Sequence, residues 1–263
     1  MKKNAKRREE EKDVQTSSSM PLSGHLRELR NRVVICIVAL LVCSIVFLNY
    51  AEPLVTLLTD MGTKYGYVYV YLAPQELLIQ YLRVAVVAAI CVCLPLTLYQ
   101  IWAFARPGLS RTENLTVVIG LVFGLLCFIV GVLFAYKITL PFMLYFLINL
   151  GTTGVIEATI SVEKYISFVL TVLIIFGCVF EMPMVSLLLT RLGILKPSIM
   201  VRGRKIAIVI IFLVAAIITP PDIFSQVMVA VPMILLWELS ILLCRILYRW
   251  IGKKKEETEQ EEA

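Results

Sequence analysis

The chain has 263 residues, 59% of them hydrophobic and 17% charged, with a mean hydropathy of +0.87. A polypeptide this apolar cannot hide its surface from water by folding on itself as a soluble domain, so it needs lipid as solvent. Its net charge of +6 sits in clusters that flank apolar runs, which reports membrane orientation and lends no support to nucleic-acid binding.

Apolar runs of roughly 17 to 25 residues read as transmembrane helices, because a helix satisfies its own backbone in lipid and these runs lack the alternation of barrel strands. In chain order they predict an all-α membrane domain over residues 20–250, with helices at about 33–50, 77–104, 116–136, 166–189, 206–219 and 223–244. The fifth and sixth are predicted to be short, the fifth too short to span an average bilayer comfortably. Residues 1–19 and 251–263 read as charged, solvated tails, both disordered. No cleavable signal peptide is expected, since the first apolar run is too long and starts too late.

Six crossings put both termini on one side, and 21 of the 25 Lys and Arg residues fall there. Lys64, Arg83, Lys137 and Lys164 are left for the other face. By the positive-inside rule the rich side is cytoplasmic. All seven cysteines lie within apolar helices and behave as small hydrophobes; Cys91 and Cys93 face different directions, against a metal or redox site.

His25 is the single histidine, no paired intramembrane Asp is present, and no phosphate-binding loop occurs. An enzyme is therefore not expected, nor a cofactor or metal, and any work must be driven from elsewhere.

The segment His25-Leu26-Arg27-Glu28-Leu29-Arg30-Asn31-Arg32 leads into the first helix. If helical, it aligns Leu26, Leu29 and Val33 in a stripe along the membrane surface, while Glu28 stands one turn from Arg32 as an intrahelical ion pair. Pro95 is expected to kink the second helix. Beyond it, Tyr99-Gln100-Ile101-Trp102-Ala103-Phe104 suits the interface, Pro107-Gly108 signals a turn, and Glu113 favours the start of the third helix. The stretch from Ile138 to Leu150 either continues the third helix or folds against it as a periplasmic wall. Pro53, Pro74 and Pro141 punctuate the outer segments.

Glu181 lies about ten residues, or roughly 15 Å of helix, from Arg191. That depth makes an ionised side chain cost about 2.5–3.5 kcal/mol or more, so a functional role is the default; the bland alternative is a protonated Glu bonded to a neighbouring helix. Pro183 loosens the hydrogen-bond ladder beside it. Glu238 on the sixth helix poses the same question. Between helices five and six, Thr219-Pro220-Pro221-Asp222 ends one helix and offers Asp222 as N-cap of the next.

At these residues the chain resembles the TatC family, the multispanning receptors of the twin-arginine protein translocase. The matching segments are His25-Leu26-Arg27-Glu28-Leu29-Arg30, Tyr99-Gln100-Ile101-Trp102-Ala103-Phe104 with Pro107-Gly108-Leu109 and Glu113, Phe180-Glu181-Met182-Pro183, and Thr219-Pro220-Pro221-Asp222-Ile223-Phe224-Ser225-Gln226. The resemblance implies a protein of the bacterial cytoplasmic membrane where folded cargo docks through twin-arginine signal peptides. Glu28 and Glu113 would receive the two arginines, with Leu26, Arg30 and Phe104 on the same surface. It further implies that Glu181 meets the single-span subunits TatA and TatB; Pro183 and Glu238 stand with it as intramembrane candidates for that contact. Pro53, Pro95, Pro107 and Asp222 would have structural or gating roles, several copies would assemble in one complex, and the proton gradient would supply energy. Arg7-Arg8 lacks the hydrophobic context of a twin-arginine signal. A proton-coupled small-solute transporter using Glu181 and Glu238 is the alternative, and it lacks the internal repeat with paired broken helices common in that class.

Overall fold

The computed structural model describes residues 22–105, 111–151, 159–191, 193–219 and 222–261, with backbone alone at 22, 23, 25, 102, 105, 111–119, 150, 151 and 251–261. The tail 1–19 and Pro107 lie outside these residues, as does the side chain of Glu113.

Helix α1 spans Leu22–Leu48, so the segment before the first apolar run is not a separate surface element. No glycine or proline interrupts residues 25–48, and Glu28 with Arg32 supports the helical spacing. Helix α2 (Ala51–Thr63) carries Pro53 in its first turn, where a missing N–H breaks no bond. Gly66 then adopts φ 90° and turns the chain into β1 (Val68–Val70). Helix α3 (Glu76–Ala105) returns along α1 and continues through Pro95.

Helix α4 (Arg111–Phe134) passes through a π-helical turn, Ala135–Thr139, into α5 (Leu140–Gly151). Of the two alternatives for residues 138–150, continuation of the third helix is the one found. Pro141 cannot donate to the Lys137 carbonyl four residues back, and the turn before it widens so that Leu140 N–H reaches Ala135 O. Strand β2 (Thr159–Ser161) pairs in parallel with β1, Tyr69 opposite Ile160. This ribbon corrects the all-α expectation. Its short runs contain β-branched and aromatic residues that suit strands, but the pairing joins loops some ninety residues apart.

The predicted fourth helix is two: α6 (Val162–Phe180) and α7 (Met182–Arg191), separated by a turn at Glu181. Short α8 (Pro197–Arg202) precedes α9 (Arg204–Ile218) and α10 (Ile223–Glu261). The prediction of a short sixth helix is corrected here, since α10 has 39 residues and includes most of the predicted tail. Lys253 and Glu257, then Lys255 and Glu259, stand at the i, i+4 spacing that supports helix, and no proline follows to stop it. Asp222 caps α10 as expected, its Oδ1 accepting from Ser225 N–H at 2.6 Å.

Among the described residues, five helical stretches are long and apolar enough to cross a membrane: Leu26–Leu48, Glu76–Ile101, Gly120–Asn149, Val162–Arg191 and Ile223–Trp250. Helix α9, with 15 residues, reaches only about 22 Å, in keeping with the predicted short fifth span. The core centres on α6, whose Val169, Val172 and Phe176 are fully buried against Ala135, Ala215 and Val229. Helix α1 packs chiefly along α3 and leaves its remaining apolar surface to lipid.

The end bearing Arg32, Arg191, Arg204 and Arg245 is the basic end. At the opposite end, tyrosine hydroxyls fasten α2. Tyr165 donates to Leu58 O at 2.8 Å and Tyr69 to Thr59 O at 3.0 Å, while Tyr67 donates to Leu144 O at 3.1 Å. Burial pushes the Tyr69 hydroxyl pKa up to about 12. A Cβ on Gly62 would stand 2.0 Å from the Tyr69 hydroxyl oxygen, so only glycine admits this approach. Beside them the buried Glu76 carboxylate accepts from Leu72 N–H at 2.8 Å, Ser161 Oγ at 2.5 Å and Glu163 N–H at 2.7 Å.

Candidate functional site

Among the described residues, two places hold the carboxylates that the sequence motifs single out. The first is at the basic end, where α1 meets the last turns of α3. Glu28 and Arg32 form the expected pair, with Arg32 Nη2 at 2.5 Å and Nε at 3.1 Å from Glu28 Oε1. The guanidinium also donates to Gln100 Oε1 and to Ala103 O, each at 3.0 Å. Arg32 therefore ties α1 to α3 and holds Glu28 against the helix end that carries half-buried Phe104. Both of Arg32's bonds to the carboxylate fall on Oε1. A carboxylate has about four acceptor positions, so with respect to the described residues Oε2 retains capacity for a further donor.

Leu26 and Arg30 are exposed on α1, and the stripe of Leu26, Leu29 and Val33 faces outward from the bundle. Glu113 falls in the first turn of α4, as the helix-start reading requires. The roles of Arg32 and Gln100 were hidden in the sequence. Arg32 was legible only as a partner for Glu28, and nothing local shows that its side chain crosses to a residue 68 positions away.

The second place is Glu181. Pro183 cannot donate a backbone bond, the ladder breaks at the turn between α6 and α7, and Glu181 N–H closes α6 on Cys178 O and Val179 O. The side chain is 8% exposed and neither carboxylate oxygen has a hydrogen-bond partner among the described residues. The bond to a neighbouring helix allowed by the bland alternative is thus not among those found there. One side of the carboxyl packs on Gly124, where a Cβ would stand 2.8 Å from Oε2. The other side opens on a cavity of about 510 Å³ between α7, α8, α9 and α10. Its walls are mostly aliphatic and include Trp237 and Ser240; Trp237 Nε1 is also buried without a partner among the described residues.

Glu238 differs from Glu181 in environment. It accepts from Arg204 Nη2 at 2.6 Å, both side chains are substantially exposed, and it is not among the cavity's lining residues. The structure does not bring Glu181 and Glu238 into one site. Trp237 and Ser240, one residue before and two after Glu238, face the cavity instead. Their i, i+3 spacing was a signal, but an unremarkable one in an apolar helix. No cluster of metal-ligating side chains occurs among the described residues.

Comparison with known proteins accords with this geometry. Residues 24–232 match the family model for the Sec-independent protein translocase protein TatC. A TatC from Listeria innocua is 36% identical over 240 residues, covering 91% of this chain and 97% of the relative. A TatC from Aquifex aeolicus is 39% identical over 240 residues, covering 90% and 98%. A crystal structure of the twin-arginine translocase receptor TatC superposes with a TM-score of 0.78 at 37% identity, covering 85% of this chain and 99% of that one. With α-helices laid out as in that receptor and the predicted motifs at their ends, the chain belongs to the TatC family and is a multi-pass membrane component of the Sec-independent, twin-arginine protein translocase.

Proposed function

We propose that this protein is the signal-peptide receptor and assembly core of its translocase, with six spans, both termini and the basic end in the cytoplasm, in the bacterial cytoplasmic membrane. The observation that carries the receptor reading is Glu28. Its Oε1 is fixed by Arg32, and among the described residues its Oε2, beside the end of α3, is left for a donor. An arginine of a twin-arginine signal offers a rigid fork to such an acceptor, and a second arginine needs a second carboxylate. Glu113, at the start of the next helix, is our assignment for it, with Leu26, Arg30 and Phe104 contacting the residues around the arginine pair. The comparison receptor carries that role in its description, which supports the transfer.

Glu181 and its cavity serve the second half of the function, recruitment of TatA- and TatB-type subunits. A carboxyl and an indole N–H, both without partners among the described residues and set in an aliphatic cavity, suit a transmembrane helix bearing one polar side chain. Such a bond contributes about 0.6 kcal/mol net on average in membranes, so it selects register more than it supplies affinity. Pro183 keeps the turn open. The proton gradient supplies the energy, and several copies of the chain assemble with the partners. The transporter alternative loses support because Glu238 is paired with Arg204 away from Glu181.

Photocrosslinking of a twin-arginine signal peptide in membranes tests the receptor reading. Crosslinks from positions near residues 25–35 and 99–113 are expected to weaken in Glu28→Ala and in Glu113→Ala, and to disappear in the double variant. Undiminished crosslinking in the double variant overturns it.

A further inference from the structure

A second concavity at the basic end carries chemistry that neither cargo recognition nor partner docking uses. It has a volume of about 300 Å³ and is lined by Lys196, Pro197, Ser198, Arg245, Tyr248 and Arg249. Two chain segments build it: the start of α8 with Lys196 at its N-cap, and the last turns of the α10 span before Trp250. Three cations thus converge with two hydroxyls, and no carboxylate is in the lining. Among the described residues the ion pairs are Arg32 with Glu28, Arg83 with Glu163 and Arg204 with Glu238, so none of the three cations is neutralised there.

The positive-inside rule accounts for cations on this flank, but not for their convergence. Arg245 and Arg249 stand at i, i+4 on one helix, where like charges destabilise by a few tenths of a kcal/mol. Lys196, brought from another segment, adds to that repulsion. An anion in the concavity removes it, and guanidinium forks with hydroxyls beside them match the oxygens of a phosphate.

Depth decides the source of that phosphate. The concavity lies at the end of the Ile223–Trp250 span, with Tyr248 and Trp250 in the aromatic positions typical of a membrane interface. Leu242 and Ile246, each three residues before one of the arginines on α10, are exposed and apolar, and they lead from the cations toward the hydrocarbon. We propose that Lys196, Arg245 and Arg249, with Ser198 and Tyr248, form a binding site for the phosphate of an anionic phospholipid, whose acyl chain runs along Leu242 and Ile246. Such a lipid clamps the start of α8 to the end of the α10 span.

Native mass spectrometry of the full-length protein in detergent, titrated with phosphatidylglycerol or phosphatidylcholine, tests this. The wild type retains phosphatidylglycerol in preference. That preference falls about fivefold for each cation neutralised, by Lys196→Gln, Arg245→Gln and Arg249→Gln, and is kept in Lys205→Gln, which removes a cation on the same flank outside the concavity. Arg245→Lys retains part of it. Every variant is first checked for a single monodisperse species, and the exposed Lys196→Gln keeps the test open if an arginine variant fails to fold. An equal loss in Lys205→Gln overturns the proposal, because it shows diffuse attraction only. Binding of inorganic phosphate with no phosphatidylglycerol preference overturns it in favour of a soluble ligand.

Discussion

Arg32 and Gln100 are 68 positions apart and meet at 3.0 Å, so the guanidinium that holds Glu28 in place is itself held by α3. A carboxylate at the membrane surface would otherwise sample several rotamers. Here its orientation depends on a residue of another helix, which makes Arg32 a positioning residue for the proposed cargo site.

Arg32→Lys is the variant that separates charge from geometry. An ammonium retains the positive charge but cannot span Glu28, Gln100 and Ala103 O as the planar fork does. Signal-peptide crosslinking near Glu28 is expected to drop about three- to tenfold, equivalent to roughly 1 kcal/mol, with little change in the amount of folded protein. Gln100→Leu should produce a smaller loss in the same direction. Wild-type crosslinking in Arg32→Lys would show that Glu28 needs no fixed orientation.

Gly124→Ala tests the setting of Glu181 without altering the carboxylate. The new Cβ would stand 2.8 Å from Oε2 and 3.2 Å from Met184 Cγ, so Glu181 has to move. Co-purification with TatA- or TatB-type subunits should fall as it does in Glu181→Ala, while crosslinking of the signal peptide persists. Joint loss of both in detergent-stable protein would argue that the cavity and the cargo site are not separable.

Glu76→Gln addresses the end away from the basic one. The carboxylate accepts three hydrogen bonds from donors, two of them backbone N–H groups. An amide has one acceptor oxygen and turns an N–H₂ toward one of those donors. The expected cost is about 1–3 kcal/mol, read as a lower thermal midpoint in detergent with signal-peptide binding preserved in the folded fraction. An unchanged midpoint would mean that water replaces the lost acceptor.

For Arg204 and Glu238 a double-mutant cycle to Ala should give a coupling of no more than about 1 kcal/mol. The pair is close but its side chains are 41% and 44% exposed, and solvent screens such contacts. A larger coupling would place the pair in a drier setting and revive a specialised role for Glu238.

Features written in neighbouring residues were legible in the sequence. Asp222 was legible as a cap, Pro183 as a loosened ladder beside Glu181 though not as the full break between two helices, and Glu28 with Arg32 as a pair, because each depends on residues within one turn of helix. Apolar run length likewise placed the main helices, and the motifs marked where carboxylates would stand. What the sequence did not show depends on distant partners. The β1–β2 ribbon, the Glu76 clasp and the Arg204–Glu238 pair each join segments 34 to 91 positions apart. The extent of α10 was misread for a different reason: its last part is highly charged, and loss of hydropathy was equated with loss of helix. Charged residues at helical spacing continue a helix past the membrane just as well.

The tyrosine contacts on α2 and the Glu76 clasp make stiffness uneven along the molecule. At that end, buried hydroxyls and a buried carboxylate lock backbone carbonyls and N–H groups of four segments together. At the basic end, Arg32, which bonds α1 to α3, and the Arg204–Glu238 pair, which joins α9 to α10, are partly open to solvent. A pull on α1 or α3 from a docked cargo would therefore spread their tips about a fixed pivot on the far side, and the fastened end would act as the fulcrum of a lever.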